Sequence, residues 1–97
     1  MSLTVLVELT MKPEHRDEFR EFMKQGVPMT RDCDGCELVE AHESQDESGS
    51  FMFREIWRDR ESQEKFAAAG QELPQFQTML SWMAAPPVVR YFDSVDV

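Results

Sequence analysis

The sequence predicts an α+β fold in which strands and helices follow the order β-α-β-β-α-β and the strands form one antiparallel sheet. Two periodicities alternate along the 97 residues. Apolar side chains recur at every second position in four segments, and at every third or fourth position in the segments between them. In addition, most predicted strands carry apolar residues on both sides, so both faces of the sheet are expected to be covered.

The first strand and the first helix are predicted in the N-terminal third. From Thr4 to Met11 the side chains alternate in the manner of a strand. Pro13 then suits the first position of a helix. One apolar stripe at helical spacing follows, formed by Phe19, Phe22, Met23 and Val27. Gly26 and Pro28 are expected to end or kink this helix, because proline lacks a backbone N–H.

A β-hairpin is predicted in the middle of the chain. Its strands span Cys36–Ser44 and Ser50–Trp57, and residues 45–49 form a polar loop. One face of the third strand carries Phe51, Phe53, Glu55 and Trp57. The other face carries Met52, Arg54 and Ile56.

The second helix is predicted to be broken. Asp59 is a suitable N-cap for a helix over residues 60–69, closed by Gly70. Helix restarts near Pro74, and the last strand spans residues 88–92. The restarted helix has its own apolar stripe, formed by Phe76, Met79, Leu80 and Met83.

This element order is the split βαβ arrangement of ferredoxin-like folds, in which the helices lie on one face of the sheet. Residues 1–97 are expected to form a single domain, because the chain is too short for a second core. The helix-free face would expose apolar side chains. A two-fold pairing with an identical sheet is the simplest way to bury them, so a homodimer through the sheet face is expected.

The composition restricts the other partners. The chain has 10 basic and 19 acidic residues and a formal net charge of −9, which repels phosphate backbones. No apolar run approaches the roughly 20 residues of a membrane span, and no basic, cleavable leader precedes the first strand. Neither nucleic acid nor a membrane is therefore expected as a partner, and a cytoplasmic location is expected.

Cys33 and Cys36 form a Cys-Asp-Gly-Cys pair with three possible interpretations. The spacing suits a redox couple or half of a zinc site. Zinc would need two further ligands, and His15 and His42 are the histidines that the sequence offers. The interpretation that we favour is a turn with Asp-Gly at its tip.

Five segments resemble, in order and spacing, the antibiotic biosynthesis monooxygenase-like family of dimeric α+β barrels. They are Val5–Pro13, Asp34–Cys36, Phe51–Trp57, Glu61–Phe66 and Pro87–Phe92. The resemblance implies that two sheets pack into a dimeric barrel. It also implies a monooxygenase that needs no cofactor and oxidises a small aromatic or quinol-type substrate with O₂. In such enzymes the protein supplies a dry pocket and a base.

The resemblance also shows where this chain departs from the family. Many members have Asn where Phe53 stands, and many have His where Phe66 stands. Haem-degrading members use that His as the iron ligand, so no haem is expected here. Because the resemblance implies a monooxygenase that needs no cofactor, no other cofactor is expected either. The loss of both polar positions favours an alternative, a non-catalytic barrel that binds a small apolar or aromatic molecule. An isomerase on the same fold is a third possibility.

The candidate substrate-binding residues are aromatic. They are Phe53, Trp57, Phe66, Phe76 and Trp82, which are expected to cluster between the third strand and the broken helix. Ordinary core packing is the alternative interpretation of these residues. The two tryptophans favour a pocket wall, because a buried indole N–H needs a partner.

Two residues are candidates for the catalytic base. If the hairpin pairs His42 with Phe53, its ring shares a layer with Trp57, whereas a slip of one residue turns it to the opposite face. Glu55 lies on the same side as Trp57 and is a base if burial raises its pKa. An ion pair, for example with Arg90, is the alternative role for Glu55.

Overall fold

The computed structural model describes residues 2–97, and it confirms the α+β, ferredoxin-like class. The elements are β1 (Leu3–Thr10), a 3₁₀ turn (Pro13–His15), α1 (Arg16–Arg31), β2 (Cys36–Glu43), β3 (Ser50–Trp57), α2 (Arg60–Gln71), α3 (Pro74–Ser81) and β4 (Val88–Asp93). The strands form one sheet in the order β2-β3-β1-β4, and every neighbouring pair is antiparallel.

The strand register assigns each side chain to one of two faces. On the face that the helices cover, called the covered face below, lie Leu3, Val5, Val7, Leu9, Cys36, Val39, Ala41, Phe51, Phe53, Glu55, Trp57, Val89 and Tyr91. On the opposite face, called the open face, lie Thr4, Leu6, Glu8, Leu38, Glu40, His42, Met52, Arg54, Ile56, Val88, Arg90 and Phe92.

The core under the helices consists of two clusters. The first cluster is built around Leu9, Met11, Phe19, Val39, Phe51, Phe53 and Met79. In it, the Phe19 ring of α1 lies 4.9 Å from the ring of Phe51 and 6.2 Å from that of Phe53. The second cluster is built around Leu3, Val5 and Trp57. Val7 and Cys36 pack against both clusters.

Helix α1 does not end at Gly26 and Pro28 but continues to Arg31. Pro28 lies in the last turn, so its missing N–H removes one hydrogen bond close to the end of the helix. The Thr30 hydroxyl donates to the Gly26 carbonyl at 2.9 Å, and the Asp32 N–H donates to the Pro28 carbonyl at 3.1 Å. Continuation keeps Val27 packed against the first cluster.

The second helix is broken as predicted, although the break falls slightly later. α2 runs through Gly70 to Gln71, and α3 begins at Pro74. Asp59 is the N-cap of α2, and its carboxylate accepts the Ser62 N–H at 2.8 Å. Among residues 2–97, no helix combines the length and the apolar character that crossing a membrane requires.

Candidate functional site

A buried carboxyl group and a buried indole lie side by side at the end of β3. Glu55 and Trp57 are two residues apart in a strand, so both side chains project onto the covered face. Glu55 is 7% exposed and Trp57 is fully buried. The Trp57 indole Nε1–H donates a hydrogen bond to Glu55 Oε1 at 2.8 Å. The buried indole thus has the partner that it requires, and that partner is one of the two candidate bases.

The surroundings of Glu55 are apolar on both sides within the sheet. Val5 of β1 and Val39 of β2 are its register partners, and both are buried. This burial raises the pKa of the Glu55 carboxyl, while the hydrogen bond from Trp57 opposes the rise by favouring the charged form. A carboxylate in such surroundings accepts a proton more readily than an exposed one, which is the property of a general base.

Helix α2 covers this pair. The Phe66 ring lies 5.2 Å from the Trp57 ring, and both residues belong to the second cluster. On the outer side of Phe66 is a cleft of about 310 Å³ between the start of α2 and the turn before β2. It is lined by Cys33, Asp34, Arg58, Asp59, Glu61, Ser62, Lys65 and Phe66. Phe66 therefore stands between an open cleft and the buried Trp57.

A second polar pair on the covered face was not predicted from the sequence. The Tyr91 hydroxyl of β4 donates to the Gln63 side-chain oxygen of α2 at 2.9 Å, and Gln63 is only 5% exposed. The Arg60 guanidinium lies 3.9 Å from the centre of the Tyr91 ring. Tyr91 and Glu55 lie in the same row of the sheet, separated by β1. Two polar groups therefore flank the same stretch of β1.

The sequence does contain signals for this second pair. Gln63 precedes Phe66 by three residues, so the two share one face of a helix. Tyr91 follows Val89 by two residues and shares its face of the strand. Neither pattern states that α2 crosses β4 at this point, which is a tertiary contact.

The five predicted wall residues do not form one group. Trp57 and Phe66 belong to the second cluster, whereas Phe53, Phe76 and Trp82 pack in the first. Phe53 lies on the other side of Glu55 along β3, beneath α1. The ring of Trp82, at the end of α3, stacks on the ring of His15 at 6.0 Å. The expectation of a single aromatic cluster is therefore wrong, because Phe53 and Trp82 pack against the Phe19 and Phe22 rings of α1.

The two candidate bases lie on opposite faces of the sheet. The hairpin pairs His42 with Met52 rather than with Phe53, so the His42 side chain is on the open face and exposed. The expectation that His42 shares a layer with Trp57 is therefore wrong. Its nearest charged neighbour is Glu40, whose carboxylate oxygen lies 3.7 Å from His42 Nε2. Glu55 is the candidate base that the structure places beside Trp57.

The element order β-α-β-β-α-β, with one four-stranded antiparallel sheet covered on one face by helices, defines the ferredoxin-like class to which the chain belongs. The family model for antibiotic biosynthesis monooxygenases matches residues 2–81. The chain therefore belongs to the antibiotic biosynthesis monooxygenase family, as the sequence segments predicted.

Solved structures agree with this assignment at the level of the fold. A crystal structure of an antibiotic biosynthesis monooxygenase is 22% identical, with a TM-score of 0.82 over 97% of this chain and 99% of that chain. Rv0793 from Mycobacterium tuberculosis is 20% identical, with a TM-score of 0.79 over 100% and 98% of the two chains. PA3566 from Pseudomonas aeruginosa is 19% identical, with a TM-score of 0.78 over 98% and 95%. No curated protein matches the chain.

Proposed function

We propose that this protein is a cofactor-independent monooxygenase that oxidises a small aromatic or quinol-type substrate with O₂. The observation that carries the proposal is the buried Glu55 carboxyl, hydrogen-bonded to Trp57 on the covered face. Family membership supplies the reaction class, and the apolar surroundings of Glu55 supply a base with a raised pKa. His42 is not part of the proposed site, because it lies on the other face of the sheet.

In this proposal Glu55 removes a proton from an acidic hydroxyl or activated C–H group of the substrate. The resulting anion is electron-rich and reacts with O₂ directly. One oxygen atom enters the substrate and the other leaves as water, and the substrate itself supplies the electrons. The residues of the site bind and orient the substrate, accept its proton and keep out water.

The substrate is proposed to lie between Trp57 and Phe66, with Phe53 on the far side of Glu55. Phe66 has to turn aside to admit it from the outer cleft, since its ring packs against Trp57 at 5.2 Å between centroids. The Gln63–Tyr91 pair is proposed to bind a second oxygen atom of the substrate. Phe76 and Trp82 are left out of the binding site, because they pack in the first cluster.

A non-catalytic barrel that binds a small apolar molecule is the second candidate function. The observation that favours it is the packing of Phe66 against Trp57, which fills the space beside the indole with an apolar ring. An isomerase would use Glu55 as an acid–base group without O₂. The three functions differ in whether oxygen is consumed and whether product forms without it.

The test is O₂ uptake with a panel of polycyclic phenols and quinols. We expect turnover by the wild type and a loss of about 100-fold or more in Glu55→Gln, since a positioned base contributes at least that factor. Glu21→Gln, at an exposed site on α1, is the matched control and should keep full activity. His42→Ala should also retain turnover.

Three outcomes contradict parts of this proposal. Full turnover by Glu55→Gln shows that Glu55 is not the base. Ligand-induced thermal stabilisation without O₂ uptake selects the binding protein. Product formed under anaerobic conditions selects the isomerase.

We further propose that the open face pairs with a second copy of the chain. Its apolar residues come from all four strands, and they are Leu6, Leu38, Met52, Ile56, Val88 and Phe92. Between them runs a charged band in which Arg54 donates to Glu40 at 2.8 Å. Val88 and Phe92 are 40% and 44% exposed in the single chain. A second sheet would remove this surface from water.

A further inference from the structure

The Cys33–Cys36 pair forms a tight turn, as favoured from the sequence. The Cys36 N–H donates to the Cys33 carbonyl at 3.1 Å, and Gly35 has a φ of +88°. Such a turn holds its first and last Cα atoms within about 7 Å of each other. A disulfide needs a Cα separation of roughly 4.4–6.8 Å. The backbone of the turn is therefore compatible with a bond between the two sulfur atoms.

Both thiols project towards the same part of the core. Cys33 and Cys36 are free, half-buried, and packed against the second cluster that contains Trp57. In the reduced protein the Cys33 Sγ–H points to the Met29 carbonyl at 3.4 Å, and the Cys36 Sγ–H to the Leu38 carbonyl at 3.9 Å. Closure of a disulfide would exchange these two weak hydrogen bonds for a covalent bond through side-chain rotation.

The turn is held in place by Arg58, at the junction of β3 and α2. The Arg58 backbone N–H donates to the Gly35 carbonyl at 2.7 Å, and its guanidinium donates to both carboxylate oxygens of Asp34 at 3.1 and 3.2 Å. A fixed turn keeps the two thiols at high effective concentration, which favours a bond within the chain over bonds to outside thiols.

The two cysteines differ in their access from solvent. Cys33 lines the outer cleft of about 310 Å³, whereas Cys36 packs between the two clusters. Burial raises the pKa of both thiols, so they rest in the protonated state. Within residues 2–97, no three His, Cys, Asp or Glu side chains converge as metal ligands, so the zinc interpretation lacks a ligand set.

We propose that Cys33 and Cys36 are a redox-active pair that forms a reversible disulfide by exchange with small-molecule disulfides. Cys33 loses its proton and attacks one sulfur of the small disulfide, which forms a mixed disulfide and releases one small thiol. Cys36 loses its proton and attacks Cys33 Sγ, which closes the bond in the turn and releases the second small thiol. The protein pair is oxidised by two electrons, and the small disulfide is reduced to two thiols.

The redox state of the Cys33–Cys36 pair is expected to affect the candidate site. Cys36 pairs with Trp57 in the sheet register and lies close enough to Glu55 for the two groups to interact electrostatically. Closure of the disulfide should therefore change the fluorescence of Trp57. This inference does not depend on the proposed oxygenase activity, because the thiols and the turn are independent of any substrate.

The test is incubation of the folded protein in buffers of reduced and oxidised glutathione, followed by acid quenching and mass spectrometry of the intact chain. We expect the wild type to lose two hydrogen atoms without gaining glutathione, and to recover them on reduction. Cys36→Ser should instead retain one glutathione on Cys33. Cys33→Ser should react more slowly than Cys36→Ser, because Cys36 is less accessible.

The urea-unfolded wild type is the control for reagent reactivity. The proposal is overturned if both thiols of the folded protein stay free under conditions that modify the unfolded chain. It is also overturned if the wild type accumulates two glutathione adducts or a disulfide between chains. A bond that closes without any change in Trp57 fluorescence would contradict the link to the site.

Discussion

At the scale of single residues, Glu55 shows how two opposing influences act on one carboxyl group. Desolvation between Val5 and Val39 raises its pKa, and the Trp57 indole N–H lowers it, with burial as the larger effect. In the folded state the carboxyl group thus binds its proton more tightly than in the unfolded chain. The free energy of unfolding must then vary with pH as Glu55 ionises.

The first prediction concerns the pH dependence of Glu55→Gln. Because the folded-state pKa is raised above the ordinary value of 4.5, the contribution of Glu55 to stability is fully present below that value and is lost as the pH rises through the folded-state pKa. Each unit of elevation corresponds to about 1.4 kcal/mol. Glutamine still accepts the Trp57 hydrogen bond but carries no charge. Relative to this variant, the wild type should lose stability towards neutral pH in urea unfolding.

The control for this prediction is Glu43, whose pKa shift has the opposite direction to that of Glu55. The hydrogen bonds from Arg16 lower the pKa of Glu43, so its stabilisation is present above the ordinary pKa and is lost as the pH falls. Glu43→Gln should therefore be destabilised most at neutral pH. If wild type and Glu55→Gln give parallel stability curves over the whole range, the Glu55 assignment is incorrect.

The sequence was sufficient to predict Glu55 and Trp57 as neighbours, because alternation along a strand places residues two apart on one face. It was not sufficient to predict the Gln63–Tyr91 pair. These two residues are 28 positions apart and belong to a helix and an edge strand. Their hydrogen bond depends on where α2 crosses the sheet, which local periodicity does not encode.

At the scale of elements, the register of β2 was the feature that the sequence left open. Cys36 pairs with Trp57 and Leu38 pairs with Ile56, so the strand contains a bulge at Glu37. Periodicity assigns residues to alternate faces but does not fix the pairing across a six-residue loop. The Ser44 N–H donates to the Ser50 carbonyl at 2.8 Å, and this hydrogen bond closes the hairpin. His42 consequently lies on the open face.

Helix α1 shows a different limit of local patterns. Gly26 and Pro28 have low helix propensity, yet the helix runs through both to Arg31. Packing of Val27 against the first cluster compensates for the weak propensity of its neighbours. The break between α2 and α3, in contrast, was correctly predicted, since Pro74 suits the first position of a new helix.

A pair of glycines gives the prediction at this scale. Gly35 has a φ of +88°, and an added Cβ would lie 2.5 Å from the Ser62 Cβ, so Gly35→Ala should destabilise by more than about 1 kcal/mol. Gly70 lies within α2, and a Cβ added there would have no contact within 4 Å. Gly70→Ala should therefore stabilise by about 0.5–1 kcal/mol. Urea or thermal unfolding measures both, and equal effects would contradict the turn geometry.

At the scale of the whole molecule, the candidate site lies where the two core clusters meet. Phe53 belongs to the first cluster and Trp57 to the second, and Glu55 stands between them on β3. Val7 and Cys36 join the clusters on either side. The candidate site therefore lies between the part of the core that contains Phe19 of α1 and the part that contains Phe66 of α2.

The proposed pairing through the open face gives the prediction for the assembly. Ile56 lies on that face in β3, one of the two inner strands, beside Leu38 of β2. Ile56→Lys should convert a dimer to monomers or weaken it strongly, because a charge would be buried between two sheets. Gln77→Lys, at an exposed position on α3, is the control. Analytical ultracentrifugation measures both, and a monomeric wild type would contradict the pairing.

The bulge at Glu37 has a consequence for how this family can change in length. Glu37 separates Cys36 on the covered face from Leu38 on the open face. Deletion of Glu37 would make Cys36 and Leu38 direct neighbours in the strand. Direct neighbours point to opposite faces, as Cys36 and Leu38 already do, so every other β2 side chain would stay on its present face. Deletion of any residue between Leu38 and Glu43 would turn part of the strand over. Among natural relatives, one-residue insertions and deletions in this strand should therefore accumulate at the position of Glu37.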